Sequence, residues 1–257
     1  MIKVSIIGSG NVAQHLIIAI LNAEESDGKI ELVQAYARNA SALAHLLEFD
    51  KITTDLSQLK PADLYIIAVT DNAIKIISDE LTFKNKLVAH TSGTTEIDVL
   101  NDNNRKGVFY PLQTFSKTKS VDFSTIPICL ESQNASDLQT LETVGKAISN
   151  ATYILNSEQR KALHVAAVFV NNFVNHLYQL GNEICIENQV PFKILKPLIE
   201  ETANKIMSLS TEEAQTGPAK REDQETINAH LAFLQEGNKK NIYELLTQSI
   251  IAHGKKL

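Results

Sequence analysis

Between a short apolar, β-branched run at residues 3–7 and a stretch with apolar residues at helical spacing stand Gly8-Ser9-Gly10-Asn11-Val12-Ala13. A strand that enters a tight glycine turn and leaves it as a helix is the opening unit of a doubly wound sheet. The first glycine permits the reversal and the second lets a pyrophosphate approach the backbone, while the small third position lets helix and strand pack closely. Anions are favoured there because the first amides of a helix lack backbone partners and the macrodipole is positive at that end. Gly8, Ser9, Gly10, Asn11, Val12 and Ala13 are therefore expected to hold a dinucleotide.

The same rhythm runs through the first half. Strands are predicted at 31–37, 51–54, 64–69, 87–90 and 108–110, and helices at 40–47 and 72–78. Further strands at 127–130 and 153–155 flank a helix at 138–148. Strands alternating with helices imply right-handed crossovers and a mostly parallel, Rossmann-like sheet. Beyond residue 156 the strand signals vanish, and helical patterns follow at 158–189, 192–209, 222–235 and 241–253. The expected fold is α/β: a dinucleotide-binding domain over 1–155, then an all-α domain over 156–257. A chain of 257 residues is long enough for two cores.

Charge and cysteine content remove several classes of function. A net charge of −6, with no basic excess in either half, argues against a nucleic-acid binder, which needs a concentrated basic face. Two cysteines, Cys129 and Cys185, make neither a disulfide framework nor a CxxC metal site, so no metal is expected and a reducing cytoplasm is. The apolar runs fall far short of a membrane span, and the N-terminal segment reads as a strand rather than a signal peptide.

Sites selective for NAD place an acid at the end of the second strand to hold the ribose 2′-hydroxyl. Here that strand ends Ala35-Tyr36-Ala37-Arg38-Asn39, and an arginine suits a 2′-phosphate, so NADP (NADPH) is the expected cofactor, with Arg38 and Asn39 at its ribose. Ligands in open α/β sheets lie beyond the carboxyl ends of the strands. Val69 and Thr70 follow one such end, and Ser92 and Gly93 another. All four are expected at the cofactor, and Ser92 also at a substrate oxygen. Asp71 and His90 read as a helix cap and a loop hydrogen-bonding residue.

In the helical half, residues 163–183 are apolar around most of the circumference. At about 100° per residue, His164, Asn171, Asn175 and Asn182 fall in one stripe. His164 is the natural proton donor in it. Asn171 and Asn172 are placed to orient a carbonyl or carboxylate. Further on, Thr216, Gly217 and Arg221 form an anion site suited to a substrate carboxylate, and Asp223 is placed to cap the following helix.

These segments together resemble a known arrangement. GSGNVA at 8–13, AVTDNAI at 68–74, HTSG at 90–93, YPLQTFS at 110–116, HVAAVFVNNF at 164–173 and TGPAKREDQETINAHL at 216–231 resemble a bacterial family. It pairs a Rossmann-like NADP-binding domain with a helical C-terminal domain of uncharacterised function. The family is similar to pyrroline-5-carboxylate reductases, and more distantly to ketopantoate reductases and 6-phosphogluconate dehydrogenases, whose helical domains commonly build dimers. The resemblance implies an NADP-dependent oxidoreductase with a 6-phosphogluconate dehydrogenase-like C-terminal domain. The serine-proline-glycine-glycine-threonine element of pyrroline-5-carboxylate reductases is missing, and Lys161 is followed four residues later by Val165 rather than asparagine.

Two functions follow from these readings. The first is a reductase that delivers hydride to a small carbonyl or imine in an interdomain cleft, with His164 donating the proton and Arg221 neutralising a carboxylate. The second is a noncatalytic NADP-binding sensor or scaffold. The helix at 158–189, about 48 Å long if continuous, is large for a domain of its size, so a homodimer formed by the C-terminal helices is expected.

Overall fold

The computed structural model describes residues 1–116 and 119–254. It divides into two compact units, Met1–Val168 and Phe169–Leu257.

The first unit is built on one eight-stranded sheet: β1 (Ile2–Ile7), β2 (Ile30–Tyr36), β3 (Ile52–Thr53), β4 (Leu64–Ile67), β5 (Leu87–His90), β6 (Arg105–Pro111), β7 (Ile128–Ser132) and β8 (Thr152–Ile154). The spatial order is β3-β2-β1-β4-β5-β6-β7-β8. All pairings are parallel except β6 with β7, where Tyr110 stands opposite Cys129. Helix α1 (Asn11–Asp27) connects β1 to β2, α2 (Asp71–Glu80) connects β4 to β5, and α3 (Ala135–Ile148) connects β7 to β8.

Even the wholly apolar strands keep the period of two that a sheet imposes. In β4, Leu64 and Ile66 enter the core shared with α1 and α3, whereas Tyr65 and Ile67 enter the core beneath α2. Helices thus cover both faces, which is why these strands read as continuous hydrophobic runs rather than alternating ones. Along α1, Ala13, Leu16, Ile17, Ile20 and Ala23 recur at three- and four-residue intervals and bury one stripe against the sheet. A third apolar cluster joins Val108, Tyr110 and Cys129 to Leu163, and so seats helix α4 (Ser157–Ala167) on β6 and β7. The first unit therefore extends past the change in texture at residue 156.

The helix expected at 40–47 is not α-helical. Only a 3₁₀ turn, Ala40–Ala42, forms, followed by hydrogen-bonded turns. Eight residues give little propagation to offset helix nucleation, and the Asn39 side chain accepts from Ser41 N–H, tightening the first turn.

The helix expected at 158–189 is present with one interruption. A π-helical turn, Val168–Phe173, separates α4 from α5 (Val174–Glu187). The uniform 100° step behind the polar stripe therefore fails between His164 and Asn171, because a π turn holds more residues per revolution.

The second unit continues with a 3₁₀ turn (Phe192–Leu195), α6 (Lys196–Ser208), α7 (Thr211–Ala214), α8 (Gln224–Phe233) and α9 (Asn238–Gly254). Lys239 ties α9 to Glu183 and Glu187 of α5 at 3.3 and 2.5 Å. Among its described residues, the buried apolar side chains are Cys185, Ala219 and Ile227. Among the described residues of the whole chain, no helix is long and apolar enough to cross a membrane.

Candidate functional site

The strand order reverses between β1 and β4, which makes their carboxyl ends the switch point of the sheet. Gly8 follows β1 there with φ +143°, a conformation that favours glycine. A Cβ at this position would also stand 2.1 Å from the Ala68 carbonyl oxygen. Gly10 begins α1 with no side chain capping the helix, and a Cβ on it would meet nothing within 4 Å. Ala13 is buried where α1 meets the sheet. Open space over uncapped helix amides fits a pyrophosphate, so the residues present suit a dinucleotide.

A groove of about 940 Å³ runs from this turn. Gly8, Ser9, Gly10, Asn11 and Val12 line it on one side, Val69 and Thr70 on another, and Tyr36, Ala37 and Arg38 at the end of β2. Arg38 is exposed and has no hydrogen-bond or ion-pair partner among the described residues. Asn39 is engaged otherwise, its carboxamide oxygen accepting from the Ser41 amide and hydroxyl at 3.1 and 2.8 Å. The loop after β6 closes over the groove through Gln113 and Phe115, whose carbonyl accepts from Asn11 Nδ2 at 2.9 Å.

Beyond β5 the arrangement is a polar turn. The Ser92 hydroxyl accepts from the Thr94 and Thr95 amides at 3.2 and 2.9 Å and donates to Thr95 Oγ1, so it serves the turn itself. His90 is fully buried. Its Nδ1 accepts from Ser92 N–H at 3.2 Å and its Nε2–H donates to the Glu96 carbonyl at 3.3 Å. Burial, and then the neighbouring Arg160 guanidinium, push its pKa down to about 4. Asp71, the first residue of α2, accepts from Thr94 Oγ1 at 2.8 Å and so joins the β4 and β5 loops.

Gly93 meets the helical part of the first unit. A Cβ there would stand 2.5 Å from His164 Nδ1 and 2.8 Å from Tyr110 Cζ. This absence of a side chain is what allows the His164 ring, on α4, to reach the Tyr110 phenol, on β6, with Oη and Nδ1 3.1 Å apart. Burial, and secondarily Cys129, raise the Tyr110 pKa to about 12, so the phenol keeps its proton.

Arg160 holds this geometry. It is 1% exposed, and its guanidinium donates to the Ser92 and Thr95 carbonyls at 2.9 and 2.7 Å and to Glu131 Oε2 and Ser157 Oγ at 2.9 and 3.1 Å. One buried side chain thus ties the β5 turn, β7 and α4 together, one helical turn before His164. Lys161 adds an exposed ion pair to Glu96.

Of the residues expected at the site, the glycine motif, Arg38, Val69 and Thr70 gather on the groove or, for Ala13, directly behind it. Gly93 and His164 meet at the β5 end. Asn171 and Asn172 lie in the π turn, exposed, and belong to the second unit, as do Thr216, Gly217 and Arg221. Gly217 has φ +103° in an open turn, and Asp223 caps α8 by accepting from Thr226 N–H at 3.1 Å, as its position predicts. Sequence reasoning missed Tyr110, Arg160 and Glu131. Arg160 stands in the polar first turns of α4, among Glu158, Gln159 and Lys161, where a charged side chain reads as a solvated one, so nothing in the local sequence marks its burial.

The fold and the glycine turn define a Rossmann-type sheet domain followed by a helical unit. A family model for a domain of unknown function, DUF2520, matches residues 126–250. A solved structure from Bacteroides fragilis, described as a proposed NADP oxidoreductase, is 37% identical over 98% of each chain with a TM-score of 0.85. This chain belongs to that family of Rossmann-type proteins with a helical C-terminal domain. More distant structures share the fold: an imine reductase from Myxococcus stipitatus in complex with NADP+ is 14% identical over 99% of this chain and 93% of its own, at TM-score 0.64. A pyrroline-5-carboxylate reductase from Coxiella burnetii is 14% identical over 99% and 98%, at 0.59. No curated protein matches the chain.

Proposed function

We propose that the chain is an NADPH-dependent reductase that moves hydride to a small carbonyl or imine. The observation that carries this is the groove at the switch point, formed by a glycine turn on an uncapped helix and ending at an exposed Arg38. The pyrophosphate takes the α1 amides, and Arg38 takes the 2′-phosphate by charge-assisted hydrogen bonds. The cofactor supplies the hydride; the protein supplies orientation and protons. A dinucleotide held at this switch point would extend beyond the carboxyl ends of β4 and β5, where Gly93 and His164 meet. His164 is the proton source. Ser92 acts through its turn, which carries Gly93. Asn171, Asn172, Thr216, Gly217 and Arg221 are assigned to the substrate, with Arg221 suited to a carboxylate. The reduced thiols of Cys129 and Cys185 suit a cytoplasmic protein.

The noncatalytic sensor predicts tight cofactor binding without turnover. NADPH oxidation on a panel of small oxo acids and cyclic imines separates the two, with His164→Ala expected to be slower by about 100-fold or more. Full activity in that variant removes His164 from the chemistry. Arg38→Ala is expected to weaken NADPH binding while leaving NADH binding unchanged; equal affinities for the two cofactors in both proteins would defeat the NADP assignment.

We further propose a homodimer through the helical unit. Phe169, Phe173 and Leu177 recur along its first helical stretch with exposures of 62%, 50% and 40%. A unit with so few buried apolar residues does not close a core alone, and a second copy offers the same apolar stripe in return.

A further inference from the structure

The Tyr110–His164 pair constrains which atom releases the proton. Among the described residues, His164 Nδ1 is the one hydrogen-bond partner of the Tyr110 hydroxyl. A protonated phenol in a largely buried site places its hydrogen on an available acceptor. Nδ1 must then be unprotonated in the neutral imidazole, and Nε2 carries the hydrogen.

That tautomer bears on how an imidazolium gives up a proton. Loss from Nε2 would leave Nδ1–H directed at the phenol oxygen and the phenolic hydrogen without an acceptor. Loss through Nδ1 to the phenol oxygen, as the phenol releases its own proton, restores the favoured hydrogen bond. Resting on the reductase reading above, we propose that Tyr110 hands the proton to the substrate heteroatom and that His164 reloads it.

The balance is complete. The substrate C=N or C=O π bond breaks, and its carbon gains a hydride with two electrons from the reduced nicotinamide. The nitrogen or oxygen takes the Tyr110 Oη proton. Tyr110 takes the Nδ1 proton, and His164, left neutral with hydrogen on Nε2, is recharged from solvent. The titratable and charged groups around the phenol are His164 and Arg160 on α4, Cys129 on β7 and Asp71 at the start of α2. Cys129 is itself pushed up to about 11 by burial and stays a neutral thiol. His164 is the member of this set within hydrogen-bond distance of the phenol oxygen, at 3.1 Å, and so the one placed to reload it.

Two measurements test the role. Nitrogen-15 NMR of histidine-labelled full chain without cofactor is expected to show neutral His164 as the Nε2–H tautomer in wild type, and a mixed population in Tyr110→Phe. On a substrate that the wild type reduces, Tyr110→Phe is expected to lower kcat about 100-fold or more with the Kd for NADPH unchanged, which also reports an intact fold. An Nδ1–H tautomer in wild type, or full kcat in Tyr110→Phe, overturns the proposal. A wild type that reduces nothing on the panel defeats the reductase reading instead, and removes this role with it.

Discussion

Buried at the end of β5 with both ring nitrogens in backbone-directed hydrogen bonds, His90 resists protonation. The unfolded chain binds that proton near 6.5 and the folded chain only near 4, so unfolding takes up a proton between these values. Stability contributed by neutral His90 is complete above 6.5 and falls as pH drops toward 4, by up to about 3 kcal/mol. Denaturant midpoints measured from pH 7 to pH 4 are expected to decline in wild type and to decline less in His90→Asn, which keeps an acceptor near Nδ1. Parallel curves would place the acid sensitivity elsewhere. The roles of Gly8 and Gly93 differ in the same concrete way. Gly8 answers to a positive φ and to the Ala68 carbonyl, both local to one turn. Gly93 makes room for two side chains from elsewhere in the chain, a reason for glycine that stands beside the backbone approach to a ligand expected from its place after β5.

Among the elements, β1, the glycine turn and α1 were legible because every part of their logic lies within one unbroken stretch, from Ile2 to Asp27. The β4 and β5 ends were legible as loops for the same reason. The Tyr110–His164 pair was not, since its members stand 54 residues apart, nor was the clamp of Arg160 on residues 29, 65 and 68 positions away. No periodicity announces which distant strand a helix will lie on. The short helix at 40–47 failed because an apolar rhythm of eight residues does not by itself outweigh nucleation. Arg160 gives the element scale its prediction. Arg160→Met leaves Glu131 a largely buried, unpaired carboxylate and strips two carbonyls of their donors. Such losses cost about 3–5 kcal/mol, or about 10 °C in Tm for a chain of this size. Calorimetry of the variant checks this, and an unchanged Tm would mean that α4 does not depend on the clamp.

At the scale of the whole molecule, the two units have unequal cores. The sheet unit buries apolar side chains on both faces, whereas the helical unit presents Phe169, Phe173, Leu177 and Met207 to the outside. Light scattering at micromolar concentration is expected to give twice the chain mass of 28.4 kDa, and a value equal to that mass would refute the dimer. Charged substitution along the stripe, as in Phe173→Glu, is expected to return the monomer. The clamp at Arg160 also bears on heredity. The texture of the chain changes at residue 156, but the first compact unit runs to Val168, and the stretch between carries Arg160 and His164. A crossover at the visible seam, grafting a helical half from another lineage, would carry away the counterion of Glu131 and the partner of Tyr110 together. Recombination that preserves the sheet unit must instead cut within the π turn, so the two halves can be exchanged cleanly only a dozen residues later than their composition suggests.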